Sequence, residues 1–164
     1  MATILEDIKT QSDWIVQAFK SDNLNLDYTV HSFIEIDKFI SLHTKNGQPV
    51  PGGRLSNGFG PILFSIGSYI GETFIKTVPG SAWVTNDDDP LGEINVGLRF
   101  PDGLTVWPIQ RVMKRFKNGE EDSVYVYGHQ LTQKFTNEPF DPGYWNIHQE
   151  NTTCLAKPWW KFWK

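Results

Sequence analysis

The stretch GPILFSIGSYIGETFIKT, residues 60–77, decides the fold of this chain. Its large apolar residues, with Phe59 just before them, recur at steps of three and four, which is the spacing of one helical face. At about 100° per residue, Gly60, Gly67 and Gly71 fall on one narrow strip beside that face. The sequence therefore predicts a buried helix over residues 60–77, with another element packed closely against its glycines.

Two amphipathic helices are expected before this stretch. The first covers Ile4–Phe19, where the apolar residues fall on one helical face. The second follows Thr29, which is a suitable N-cap, and Asn46-Gly47 is a suitable stop signal for it. Residues 46–58 are rich in glycine, proline and asparagine, so they predict a long loop. Such a loop is either a tolerated surface connection or a binding segment.

After residue 80 the apolar pattern changes from helical to extended. Short strands are predicted at residues 83–85, 94–100 and 104–106, and Asp102-Gly103 gives a hairpin turn between the last two. These strands are expected to form a small antiparallel meander. Pro108 then suits the first turn of another helix, where a missing backbone N–H costs nothing.

The segment EEDSVYVYGHQL, residues 120–131, fits two structures equally well. Its β-branched and aromatic residues are typical of a strand, whereas Asp122-Ser123 is typical of a helix cap. Beyond Lys134 there is no apolar period, which predicts an irregular tail packed by its aromatic side chains. Both readings of residues 120–131 stay open on local sequence alone.

Together these segments predict one α+β domain over residues 1–164, with several helices packed around a small antiparallel β-meander. The first helical part covers residues 1–78 and the meander covers residues 82–106. A second helical part covers residues 107–133, and the irregular aromatic-rich tail covers residues 134–164.

Composition narrows the classes of partner and compartment. The net charge of −4, from 15 basic and 19 acidic residues, argues against a nucleic-acid phosphate backbone as the partner. The lone Cys154 excludes an intramolecular disulfide and suits a reducing cytoplasm. The N-terminus has acids where a secretion signal needs a basic start, so no such signal is expected. The longest apolar stretch, Phe59–Ile75, is too short for a membrane span.

No catalytic, metal-binding or cofactor-binding constellation stands out. The four histidines lack metal-ligand spacing, and no nucleophile elbow or Cys-His arrangement occurs, so no catalytic residue, metal or cofactor is predicted. Glu72 lies on the flank of its helix, where a hydrogen bond to a neighbouring strand or loop is the favoured role. The alternative is a ligand pocket between this helix and the meander, formed by Tyr69, Glu72, Trp83 and Trp107.

Two groups of acids are candidate contacts for a basic protein partner. Asp87, Asp88 and Asp89, followed by Glu93, lie in a loop between predicted strands. Clustered carboxylates orient a cationic surface, although a solvated loop has the same sequence. The second group consists of Glu120, Glu121 and Asp122, which could equally favour a helix start through its dipole.

One resemblance covers residues 24–133. It consists of GSYIGE at the end of a helix, a Trp about eleven residues later, a turn entering a Pro-started helix, and the segments GEEDSVYVYGHQL and LDYTVHSFIEIDKFI. In these features the chain resembles small bacterial domains of unknown function, some of which are candidate immunity proteins of polymorphic toxins. The resemblance implies three or four helices around a small sheet and favours a helix at Asp122–Gln133. It brings no catalytic residue with it.

Three functions are compatible with these observations. The first is a non-enzymatic immunity protein that covers the active site of a cognate toxin, since an acidic inhibitor associates faster with a basic, nucleic-acid-cutting domain. The second is a small enzyme or ligand-binding domain with a pocket near Glu72 and Trp83. The third is a structural or assembly protein of a mobile element.

Overall fold

The computed structural model describes residues 2–144. These residues form an α+β fold that combines α-helices with two small antiparallel sheets, of two and three strands. The elements in chain order are α1 (Ile4–Ser21), α2 (Phe33–His43), β1 (Thr44–Lys45), β2 (Gln48–Pro49), α3 (Phe59–Thr77), β3 (Ala82–Val84), β4 (Gly97–Arg99), β5 (Thr105–Val106), α4 (Pro108–Asn118) and α5 (Val124–Thr132).

Helix α3 is the central element, as its sequence predicts. Every residue from Ile62 to Gly71 is buried, because α1 and α4 are its main neighbours and cover it from two sides. A helix that is apolar on more than one face is stable only when other elements surround it. The remaining helices and the three-stranded sheet are therefore arranged around α3.

The predicted close packing at the glycines of α3 holds at two of the three positions. A Cβ at Gly67 would lie 2.8 Å from the Cα of Ile109 in α4, and one at Gly71 would overlap the indole ring of Trp83. The expectation is wrong for Gly60, because no atom lies within 4 Å of a Cβ placed there. The difference arises because Gly60 faces an open cleft in the first turn of α3, whereas Gly67 and Gly71 face α4 and the sheet.

Side-chain caps fix the starts of the first two helical segments. Thr3 forms a capping box with Glu6 at the start of α1. The predicted N-cap Thr29 accepts a hydrogen bond from the backbone N–H of Ser32, but it begins a 3₁₀ turn, Val30–Ser32, that leads into α2. Both caps satisfy amide groups that a helix start leaves without intrahelical partners.

The stop signal Asn46-Gly47 has a different role from the predicted one. Asn46 and Gly47 both have positive φ, at 53° and 73°, and they form the turn between β1 and β2. Two left-handed residues are what a two-residue hairpin turn requires, and the same pair also ends helices. The segment predicted as a loop, residues 46–58, begins with this turn and also contains β2 and a 3₁₀ turn, Arg54–Ser56.

The three-stranded meander is confirmed, with the order β3-β4-β5. Its middle strand is shorter than the predicted residues 94–100, because it begins only at Gly97. Residues before it turn instead: the N–H groups of Ile94 and Asn95 both donate to the carbonyl of Leu91. Once these amides are used inside the turn, they cannot form a strand ladder.

The open choice at residues 120–131 is decided in favour of a helix. Ser123 caps α5 by accepting from the N–H of Val126, as its sequence position allows. The carboxylate of Asp37 in α2 accepts the N–H groups of Val124 at 3.0 Å and of Tyr125 at 3.1 Å. A distant carboxylate thus completes the cap, and this contribution is invisible in the local sequence.

The apolar interior consists of two clusters of buried residues. The larger surrounds α3 and draws on every helix. The smaller one lies between the start of α1, α3, α4 and the residue before β4; its members are Ile4, Ile8, Phe64, Val96 and Ile109. Of the predicted aromatic tail, residues 134–144 hold Phe135 stacked on Phe100 and Phe140 stacked on Tyr125. The rest of the tail, residues 145–164, lies outside the described residues.

Candidate functional site

Tyr69, predicted to line a pocket, lies in the core. Its hydroxyl accepts the backbone N–H of Tyr28 at 2.7 Å and is 2.6 Å from the hydroxyl of Ser32. Burial raises the pKa of Tyr69 above its ordinary value, so the phenol stays neutral. These bonds hold the turn before α2 against α3, which is a structural role.

The other three predicted pocket residues do not converge with Tyr69 on a cavity. The indole N–H of Trp83 donates to the carboxylate of Glu72 at 2.9 Å, which is the predicted hydrogen bond to a neighbouring strand. Trp107 is 47% exposed and lies beside Gly97. None of the clefts described below has Tyr69, Glu72, Trp83 or Trp107 in its walls.

The first acidic loop is held in place by two of its own carboxylates. Asp87 accepts the backbone N–H of Ile4 at 2.8 Å, and Asp89 accepts the N–H of Leu91 at 2.9 Å and the amide of Asn95 at 3.0 Å. The hydrogen bond from Asn95 lowers the pKa of Asp89 below its ordinary value. Asp88 is exposed, so its carboxylate stays available at the surface.

The second acidic group is partly committed to the fold as well. Asp122 is paired with Arg111 at 3.0 Å and accepts from the side-chain amide of Asn118 at 2.7 Å. Glu120 and Glu121 are exposed in a 3₁₀ turn. Glu120 borders a polar cleft of about 380 Å³, and Lys117 lies in the wall of the same cleft. Charges of both signs therefore meet in this cleft.

An apolar cleft opens between α1, the start of α3 and α4. Its volume is about 530 Å³ and its lining is mostly apolar. The side chains of Ile94 and Met113 are 39% and 41% exposed at its edge, and Asp7 and Gln11 of α1 form a polar wall. The lining residues are Asp7, Gln11, Phe59, Gly60, Pro61, Leu63, Phe64, Glu93, Ile94, Ile109 and Met113.

A second cleft continues the first along the acidic loop. Its volume is about 670 Å³, and its wall shares Asp7, Glu93 and Ile94 with the apolar cleft. We call the two together the acidic groove. It also contains Asp87, Asp88 and Asp89, and among residues 2–144 no Lys, Arg or His lines it.

The carboxylates of Asp7 and Glu93 lie where the two clefts join. Asp7 is half-buried and Glu93 is exposed, and among residues 2–144 neither carboxylate has a hydrogen-bond or ion-pair partner. Carboxylates beside an apolar wall attract cations more strongly than carboxylates in open water, because the local dielectric constant is lower. The acidic groove can therefore hold an apolar group that carries a positive charge next to it.

The groove has few side chains other than carboxylates that could bind a ligand through polar contacts. The polar side chains in its lining are carboxylates, the hydroxyl of Thr3, which accepts from the N–H of Glu6, and the amide of Gln11, whose oxygen accepts from Ser65 at 2.8 Å. Over the described part of the chain, no three His, Cys, Asp or Glu side chains meet in a way that could hold a metal ion. Within the same residues, no helix has the length and apolarity that a bilayer crossing needs.

Sequence reasoning missed a buried ion pair that joins three helices. Asp37 in α2 and Arg115 in α4 are each 2% exposed, and their side chains are 2.9 Å apart. Arg115 also donates to Ser41, and Ser123 donates to Asp37 at 2.7 Å. A signal existed for Asp37, which lies four residues after Phe33 and three before Ile40, on the face of its helix that must be buried.

Sequence reasoning also missed the residues that form the apolar cleft. Asp7 and Gln11 are polar residues of α1, and Met113 continues the apolar spacing of α4, so helical spacing gave no reason to group the three. They meet only because α1 and α4 both pack against α3 and line one cleft with its first turn.

Comparisons of this chain with protein-family models, with curated proteins and with solved structures found no match. The resemblance to candidate immunity proteins therefore stays a prediction based on the residues quoted above. The function is argued below from the acidic groove itself.

Proposed function

We propose that this chain is a non-enzymatic, protein-binding protein that neutralises a cognate toxin in the bacterial cytoplasm by binding a basic surface of it. The observation that supports this proposal is the acidic groove: over the described part of the chain, its carboxylates at Asp7 and Glu93 have no partner, they adjoin an apolar cleft, and no basic side chain lies in the lining. The resemblance to candidate immunity proteins agrees with it.

Charge explains why such a surface suits a toxin that cuts nucleic acids. A domain that binds phosphates carries Lys and Arg around its active site. Carboxylates on the inhibitor accelerate the encounter with that surface and orient it. An apolar contact beside the charges then slows dissociation, since most differences in affinity are differences in dissociation rate.

The structure of the acidic loop also favours binding. Asp87 and Asp89 are hydrogen-bonded to backbone and side-chain donors of the domain, so the loop is held before any partner arrives. A preorganised surface loses less conformational entropy on association. Asp88 and Glu93 are exposed in the same segment and supply charge without being needed for its shape.

The test uses the toxin candidate encoded by the neighbouring gene. Association and dissociation rates are measured by surface plasmon resonance at low and high salt, where screening should slow association. Asp88→Asn combined with Glu93→Gln should lower the association rate about tenfold at low salt. Glu121→Gln, which removes an exposed acid that lines neither cleft of the acidic groove, is the matched control. Absence of binding to the neighbouring product at low salt would refute the proposal.

Small-ligand binding is the second candidate function. The apolar cleft, with about 530 Å³, falls within the size range of small-molecule sites. Such a ligand would contact Phe64, Ile109 and Met113 rather than Tyr69 and Glu72, whose polar atoms are engaged in the fold. A thermal-shift screen of cationic amphiphiles against the protein tests this alternative, and a rise in melting temperature would favour it.

A further inference from the structure

We propose that the partner site is the apolar cleft, and that it binds a partner segment in which large apolar side chains are flanked by Lys or Arg. This inference rests on the proposed function, and it names the surface and the chemistry of the bound segment. It selects one acidic group over the other, because Glu93 borders the apolar cleft and Asp87–Asp89 line the second cleft that adjoins it, whereas Glu120 borders a polar cleft.

The apolar part of the cleft is a surface of the smaller core cluster. Phe64 and Ile109 belong to that cluster and form the floor of the cleft together with Leu63. At the edge, Ile94 and Met113 each leave about two fifths of their side chains exposed. Exposed apolar surface inside a concave cleft favours an apolar occupant, and Met adapts to different shapes because its chain is unbranched.

The carboxylates beside the cleft require that the bound segment carry positive charge. Asp7 comes from α1 and Glu93 from the loop before β4, so the two carboxylates approach the junction of the clefts from different elements. Among the described residues, neither lining contains a basic side chain that would pair with them. A Lys or Arg beside an apolar side chain would satisfy both parts of the cleft at once.

The same charges disfavour other macromolecules. Nucleic-acid phosphates and anionic lipid headgroups would be repelled by Asp7, Glu93 and the acidic loop. A basic segment of a protein is the macromolecular ligand that combines apolar side chains with positive charge.

Gly60 provides a way to fill the cleft without disturbing the core. It lines the cleft in the first turn of α3, and no atom lies within 4 Å of a Cβ added there. Gly60→Phe therefore introduces a large side chain from open space, whereas Gly60→Ala adds only a methyl group at the same position. The melting temperature of each variant is measured, so that a folding defect is seen separately.

The first experiment uses fluorescein-labelled peptides and anisotropy. The probe KLKKFLKK carries both features, KSKKSSKK lacks the apolar side chains, and ELEEFLEE has the opposite charge. KLKKFLKK should bind, with at least tenfold weaker binding by the other two. Gly60→Phe should weaken binding of KLKKFLKK at least tenfold, and Glu93→Gln about threefold. Gly60→Ala should weaken it much less than Gly60→Phe does, because it adds only a methyl group, and Glu121→Gln should leave it unchanged.

Several results would overturn the inference. One is equal affinity of KLKKFLKK for the wild type and for folded Gly60→Phe. Another is a dissociation constant of KLKKFLKK above ~1 mM for the wild type, which corresponds to a binding free energy weaker than about 4 kcal/mol. Equal or tighter binding of ELEEFLEE would overturn it as well.

The toxin measurement separates the inference from the proposed function. If the toxin binds the wild type and Gly60→Phe equally well, toxin binding stands and the cleft is not the site. If no toxin binds while KLKKFLKK binds the wild type and not Gly60→Phe, the cleft chemistry stands and toxin neutralisation is refuted.

Discussion

Two regions of this protein place carboxylates against apolar surface, and they treat them in opposite ways. At the junction of α2, α4 and α5, Asp37 is buried and accepts from Arg115, Ser123 and two backbone amides. At the acidic groove, Asp7 and Glu93 border apolar side chains and accept from no described residue. A carboxylate that loses its water must receive other donors, whereas one that keeps water can remain available to a partner.

The largest expected change in stability comes from breaking the buried ion pair between Asp37 and Arg115. Asp37→Asn should lower the free energy of unfolding by about 3 to 5 kcal/mol, because Arg115 would stay buried without its counter-ion and α5 would lose part of its cap. Urea denaturation followed by circular dichroism measures this loss. Glu121→Gln removes one carboxylate charge without burial and should change stability by less than about 0.5 kcal/mol.

A double variant sharpens the interpretation of this loss. Asp37→Leu combined with Arg115→Leu removes both charges, so it should cost less than Asp37→Leu alone. If the double variant is the less stable of the two, the ion pair itself is not the reason for the destabilisation.

Two glycines of α3 have opposite surroundings: Gly67 is packed against α4, and Gly60 lines the open cleft. Gly67→Ala should destabilise the protein by about 1 to 3 kcal/mol, since its Cβ would press on the backbone of Ile109. Gly60→Ala should stabilise it by about 0.5 to 1 kcal/mol, because alanine is the better helix former and the space is empty. Thermal denaturation of both variants tests this, and effects of the same sign would contradict the described cleft.

His43 represents a third solution for a buried polar group, which is to stay neutral. Burial lowers its pKa to about 4; nearby Arg54 adds to this effect and Asp22 opposes it. Between pH 6.5 and 4 the unfolded chain binds a proton here that the folded chain does not, so stability falls as the pH falls through this window. The loss from pH 7 to pH 5 should be about 2 kcal/mol, measured by urea denaturation at each pH.

The matched variant for this measurement is His43→Asn. The ring Nδ1 of His43 accepts the backbone N–H of Arg54 at 3.2 Å, and an Asn side-chain oxygen can accept it instead. This variant should be less dependent on pH between 7 and 5 than the wild type. An unchanged pH dependence would assign the effect to other groups.

The smallest effect on stability is expected at the acidic groove. Asp88→Asn combined with Glu93→Gln should change the free energy of unfolding by less than about 0.5 kcal/mol, because both side chains are exposed. Asp87→Asn should cost more, since Asp87 accepts the N–H of Ile4. Urea denaturation compares the two, and a loss from the double variant as large as that from Asp37→Asn would remove the contrast between the two regions.

Much of the fold could be predicted because local periodicity is strong. Helix α3, the Pro108 start of α4 and the meander follow from apolar spacing and turn residues. The errors arose where one local signal fits two structures: Asn46-Gly47 ends helices and also makes hairpins, and residues 94–96 have strand composition but form a turn.

The candidate site could be predicted only in part. Asp88 and Glu93 are found at the acidic groove, as acids that form a cluster in sequence. The cleft beside them could not be predicted, because Asp7, Met113 and Gly60 come from three helices that meet only in the folded chain.

The sequence by itself determined which segments are helical, which turn, and which face of each helix is apolar, since these depend on neighbours within about four residues. Tertiary structure alone decided which carboxylates became part of the interior and which stayed available. That choice depends on donors from distant segments, such as Arg115 and Ser123 around Asp37, which are brought within reach only when the helices pack.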